Sequence, residues 1–127
     1  MGYRFKKHYT RDEARSLLPQ VRQWLQQLTE AREQLAETDR RMAALLEAGN
    51  DVGGKAPGDW VRARVELMRV LLEFHKRQIR IKDPDRGLID FPAIIHGREA
   101  FLCWEKDEDD VEFWHDLDAG YAGRERL

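Results

Sequence analysis

The sequence predicts an α+β fold: a long antiparallel helical hairpin, then a small three-stranded antiparallel β-meander and an irregular tail. Three observations predict it. Between residues 10 and 82 apolar residues recur at alternating steps of three and four, the period of a helix face. That stretch is interrupted only by Gly49 to Gly58, with four glycines and a proline, a connector by composition. From Asp85-Arg86-Gly87 onward the period changes to two, as in a half-buried strand. At 127 residues and 15.0 kDa the chain suffices for one core, so a single domain over 1–127 is expected, with the hairpin at 10–82 and the meander and tail at 85–127.

Thr10-Arg11-Asp12-Glu13 reads as a capping box, in which hydroxyl and carboxylate each satisfy a backbone N–H that the first turn leaves orphaned. Helix 1 therefore starts at Arg11. Its seam is Leu18, Val21, Leu25, Leu28, Leu35, Met42 and Leu46, flanked by Leu17, Trp24, Ala31, Thr38 and Leu45, and runs to about Ala48. Pro19 removes the hydrogen bond to the Arg15 carbonyl and should kink or break the helix. Arg32 and Asp39 occupy seam positions. They either snorkel to solvent or form a buried pair that fixes register with a partner helix.

Asp59 is the expected N-cap of helix 2, whose seam is Val61, Val65, Met68, Leu72, His75 and Ile79, widened by Leu71 and Phe74. The helix should end before Asp83-Pro84, because a residue preceding proline is pushed out of helical geometry. Arg77, Arg80 and Lys82 then sit in its last turns, where cations complement the helix dipole. Helix 1 is the longer, and the sheet is expected to pack on its N-terminal overhang. The predicted strands are Leu88 to Ile95, Ala100 to Glu105 and Val111 to Asp116, joined by turns around His96-Gly97-Arg98-Glu99 and Lys106 to Asp110. A hairpin plus a small sheet leaves a wide apolar stripe uncovered, which predicts a homodimer along the helices.

Composition excludes several classes. Twenty-two basic against twenty-four acidic residues give a net charge of −2, so no global field draws in nucleic acid. Cys103 is the sole cysteine, which rules out an intrachain disulfide and a multi-cysteine metal site and fits a reducing cytoplasm. Met1 to Lys7 is basic but is followed by no apolar run, so it is not a secretory signal. No stretch approaches the roughly twenty apolar residues of a membrane span. A soluble, cytoplasmic protein with no cofactor is expected.

The unusual residues gather in the second part. Asp90 interrupts the apolar run Leu88-Ile89-Asp90-Phe91-Pro92, and a carboxylate there must be paired, hydrogen-bonded or at an edge. Arg124, in the glycine-flanked tail, is the expected counter-ion, either as a structural clasp or as part of a ligand pocket with His115. Alternation puts Val111, Phe113 and His115 on one face of the third strand, with Glu112, Trp114 and Asp116 on the other. If Cys103 points towards His115, a thiol and an imidazole meet across the sheet, the minimal nucleophile and base. The bland reading, a small buried hydrophobe and a satisfied histidine, outweighs it. Asp90, Trp104, His115, Asp116 and Arg124 are the candidate ligand-binding residues, with no catalytic residue assigned. His8, His75, His96 and His115 show no close ligand spacing, so no metal site is assigned either. His75 on the helix seam reads as core, and the acidic turn Asp107-Glu108-Asp109-Asp110 as a solvated hairpin tip.

Tyr9-Thr10 with Ala14, Leu17-Leu18-Pro19, Ile81-Lys82-Asp83, Gly87-Leu88-Ile89-Asp90-Phe91-Pro92, Gly97-Arg98, Cys103-Trp104, Trp114-His115 and Gly120-Tyr121-Ala122-Gly123-Arg124 together resemble a bacterial and archaeal family known as domain of unknown function 2203. The resemblance implies a soluble protein with a long helical hairpin and supplies no catalytic assignment. The function expected is therefore a non-enzymatic, oligomeric scaffold or binding protein, with a protein partner or small anionic ligand on the sheet and tail. The alternative is a hydrolase or a metal- or small-anion-binding enzyme using Asp90, His115 and Arg124.

Overall fold

The computed structural model describes residues 2–49 and 53–127; Asn50, Asp51 and Val52 of the predicted connector lie outside them. Two helices precede a five-stranded antiparallel sheet, an α+β architecture. Helix α1 spans Arg11–Glu47 and α2 spans Lys55–His75. The strands are β1 Arg80–Asp83, β2 Leu88–Ile95, β3 Arg98–Glu105, β4 Phe113–Asp116 and β5 Glu125–Arg126, paired in that order as a meander. Among the described residues no helix is long and apolar enough to cross a membrane.

Thr10 caps α1 as its sequence demands: the Glu13 amide donates to the Thr10 hydroxyl at 3.1 Å, and the Thr10 amide donates to the Glu13 carboxylate at 3.0 Å. The helix continues through Pro19 without a break. Arg32 and Asp39 are both exposed, as the solvent-facing reading expects, and form no buried pair with each other; each also reaches another element. Arg32 pairs with Asp85 at 2.9 Å, and Asp39 accepts the Trp60 indole N–H at 2.6 Å. Trp24 meets Phe74 edge-on, Gln27 meets Arg69, and Arg41 meets Asp59. These contacts run in opposite sequence order along α1 and α2.

Helix α2 starts earlier than the Asp59 cap predicted. Lys55-Ala56-Pro57 form its first turn, where proline is tolerated because that N–H has no intrahelical acceptor. It also ends earlier, at His75. Gln78 turns the chain with φ of 59°, and Arg80–Asp83, assigned from sequence to the helix end, forms β1 instead. With the two-residue β5 in the tail, this makes the sheet five-stranded rather than three-stranded. His75 is exposed rather than core.

The face of α2 turned to the core differs from the predicted seam. Ala63, Val70 and Phe74 are buried, with Leu67 and Leu71 packed beside them. Val61, Val65, Met68 and Leu72 are each more than half exposed. Both rows step by four, three and four residues, and an offset of two residues puts them on opposite sides of a helix.

The N-terminal half of α1 lies on the sheet. Ala14, Leu18, Val21, Trp24, Leu25 and Leu28 share one core with Ile89, Phe91, Ala93, Leu102, Trp104 and Trp114. Arginines of α1 tie down the β3–β4 connection: Arg11 donates to the Val111 carbonyl, Arg15 pairs with Asp110, and Arg22 donates to the Lys106 and Glu108 carbonyls. The acidic turn is therefore bound at several points, not a free solvated tip.

Candidate functional site

Register decides which side chains meet. His96 and Gly97 both have positive φ, 52° and 77°, as the two central residues of a type I′ turn require. That turn sets Ile95 opposite Arg98, and five steps back it sets Asp90 directly opposite Cys103. On the other side of β3, Phe101 faces His115 and Cys103 faces Phe113. Asp90, Cys103 and His115 thus project from three neighbouring strands on the sheet face turned away from the helices. Each is at most 2% exposed.

The three side chains form a centre. His115 Nε2 lies 3.0 Å from Asp90 Oδ1, and His115 Nδ1 lies 2.8 Å from the Asp116 carbonyl oxygen. One carboxylate oxygen, the Cys103 sulfur and one imidazole nitrogen all lie within 4.8 Å of one another. Asp90 Oδ2 is buried without a hydrogen-bond partner, and an acceptor left so costs about 1–3 kcal/mol. Burial alone depresses the His115 pKa. The hydrogen bonds to Asp90, Cys103 and the Asp116 carbonyl outweigh it and raise the pKa from 6.5 to about 10. Both ring nitrogens then carry protons, and His115 is an imidazolium paired with Asp90.

Arg124 is not the counter-ion of Asp90. Its guanidinium grips Glu108 through two bonds, 3.1 and 2.7 Å, and lies over the rings of Phe113 and Tyr121 at 3.9 and 4.3 Å. Its Nη1 also stands 3.8 Å from Cys103 Sγ. The tail is therefore clasped to the sheet through Glu108, and the clasp touches the centre through the thiol. On the far side Phe5 packs edge-on against Phe101, and Arg80 lies over both rings at 5.3 Å. Glu99 holds this N-terminal segment by accepting from the Arg4 and Phe5 amides and from His8.

Of the five candidate residues, only Asp90 and His115 meet side chain to side chain. Trp104 points to the opposite face, buried under Arg22, and donates its indole N–H to the Glu108 carbonyl. The Asp116 side chain is exposed and pairs with Arg98, so only its backbone serves the centre. Two further residues contribute. Cys103 belongs to the centre, and Glu108 anchors the clasp. The signal for Cys103 was the His96-Gly97 turn: read as two residues, it places Cys103 opposite Asp90.

A surface groove of about 590 Å³ lies elsewhere, between α1 and α2, lined by Gln34, Arg41, Asp59, Arg62 and Glu66. Asp59 there is held by Arg41 and Arg62, and Glu66 by Arg69, so both of these carboxylates are already paired. Among the described residues, the buried side-chain oxygen without a partner is at the sheet. No curated protein and no solved structure matches the chain. A family model described as an uncharacterized conserved protein, DUF2203, matches residues 7–127, and the chain belongs to that family.

Proposed function

We propose that the chain is a non-enzymatic binding protein: a homodimeric scaffold built on an antiparallel helical hairpin bent at Pro19, with the sheet and its clasped tail as the ligand- or partner-holding part. The observation that carries the reading is the outer row of α2, where Val61, Val65, Met68 and Leu72 stand more than half exposed at helical spacing. A continuous apolar stripe of this kind is costly to leave in water. Its flanking cations do not bar a second copy, since Arg62, Arg69 and Lys76 are each paired with an acid one turn earlier: Asp59, Glu66 and Glu73.

The enzymatic alternative on Asp90, His115 and Arg124 finds less support. A general base needs a free ring nitrogen, whereas both nitrogens of His115 face acceptors, and Arg124 is committed to Glu108. Light scattering tests the association: wild type is expected to be a dimer at micromolar concentration, and Met68→Glu with Leu72→Glu a monomer of unchanged helix content. A monomeric wild type ends the dimer reading.

A further inference from the structure

We propose that Asp90, Cys103 and His115 form the binding site of one divalent transition-metal ion of zinc's class. This goes beyond the scaffold reading and does not depend on association through α2. The donors are a carboxylate, a thiol and an imidazole, contributed by adjacent strands to one buried point, with donor atoms within 4.8 Å of one another. Ligands sharing a tetrahedral ion at bonds of about 2.0–2.3 Å stand roughly 3.3–3.8 Å apart, so the donors reach one ion by drawing in by about 1 Å or less. A second, independent observation points the same way: Asp90 Oδ2, on a side chain 1% exposed, has no partner.

The surroundings fit a metal. The Asp116 carbonyl receives His115 Nδ1, the outer hydrogen bond that orients an imidazole so that Nε2 is presented to an ion. Carboxylate and thiolate supply two negative charges, matching a divalent cation. Arg124 Nη1 is placed to donate to the thiolate sulfur, and its own charge is answered by Glu108. The donor set selects the metal. A thiol with an imidazole suits zinc, cobalt or nickel, whereas magnesium and calcium demand six or more oxygens. Binding replaces the proton between His115 and Asp90 with the ion and releases the thiol proton, so charge balances without another reactant.

Cobalt is the probe. The untagged full chain, stripped with a chelator and titrated with Co²⁺, is expected to bind one ion per chain and to show tetrahedral d–d bands with a sulfur-to-cobalt charge-transfer band. Because Cys103 is the only cysteine, that band reports this site alone. Zinc should abolish it and protect the thiol from alkylation, and Cys103→Ser should lose the band. Cobalt uptake far below one per chain, or binding without the charge-transfer band, overturns the proposal. So does a Cys103→Ser variant that binds zinc as tightly as wild type. Should that variant fail to fold, the wild-type spectrum alone decides. The light-scattering result is unaffected by any of these outcomes, so the two readings fail separately.

Discussion

The two faces of the sheet are built on opposite principles. Towards the helices, Ile89, Phe91, Leu102 and Trp104 are all but fully buried against the apolar row of α1. That face is held by area removed from water, which is non-directional. The outer face alternates with it residue by residue along β2 and β3, yet its middle is Asp90, Cys103 and His115. No helix covers them. Their cover is an N-terminal segment tied by Glu99 and a C-terminal tail tied by Glu108, with arginines laid over Phe5, Phe101, Phe113 and Tyr121. The first face specifies the fold and the second specifies a place. A sheet that needed only stability would have put apolar residues where the polar centre stands.

The comparison breaks first under substitution. Trp104→Ala removes the largest fully buried side chain and leaves a cavity, so it should cost about 4–5 kcal/mol by urea denaturation. Asp90→Ala, measured in metal-stripped protein, should cost about 3 kcal/mol, because it leaves the His115 charge buried without its partner. Asp90→Leu combined with His115→Leu should cost about 1 kcal/mol or less, since removing both members also removes their desolvation. A double variant as unstable as the sum of its single variants would mean that the outer face, too, is held by packing.

The helix-facing half was largely legible in the sequence. The capping box at Thr10 and Glu13 and strand β2 at Leu88–Ile95 stand where the sequence predicts them, because each rests on local chemistry. Helix α2 was legible as a helix but not in its orientation. Ala63, Leu67, Val70 and Phe74 repeat the spacing of Val61, Val65, Met68 and Leu72, and periodicity cannot tell which of two opposite stripes meets α1. Strand β1 was hidden for a similar reason. Four residues, Arg80–Asp83, follow a long helical pattern, and their cations have a ready account at a helix end. At the site, the suspects Asp90 and His115 were visible but their pairing was not. Asp90 was assigned to Arg124 by charge, whereas contact is set by strand register. Only the His96-Gly97 turn carries that register in the sequence.

The clasp offers a smaller effect that sharpens the distinction. Arg124 and Glu108 side chains are 14% and 17% exposed, so their bidentate pair is partly screened and Arg124→Ala should cost about 1 kcal/mol. The change should be local. Alkylation of Cys103 should accelerate well beyond what that loss of global stability permits, while amide exchange in α1 and on Phe91 and Leu102 quickens by no more than that loss accounts for. An alkylation rate that rises only in proportion to global unfolding would show that the tail does not gate the centre.

The N-terminal strap should respond to acid. Burial tends to raise the pKa of Glu99, but the hydrogen bonds from His8 and from the Arg4 and Phe5 amides outweigh it and hold the carboxyl below its ordinary 4.5. A depressed folded-state pKa means that the strap's contribution is fully present above the unfolded value and is lost as the pH falls below about 4.5 towards the depressed one. The Arg4 and Phe5 amides should therefore lose exchange protection in that window, after correction for intrinsic exchange, while those of Trp104 and Leu102 keep theirs. Glu99→Gln should weaken the strap at neutral pH and flatten the response below it. Equal acid sensitivity of both sets of amides would mean that the outer cover and the helix-facing core open as one unit, and the division between the faces would not extend to their dynamics.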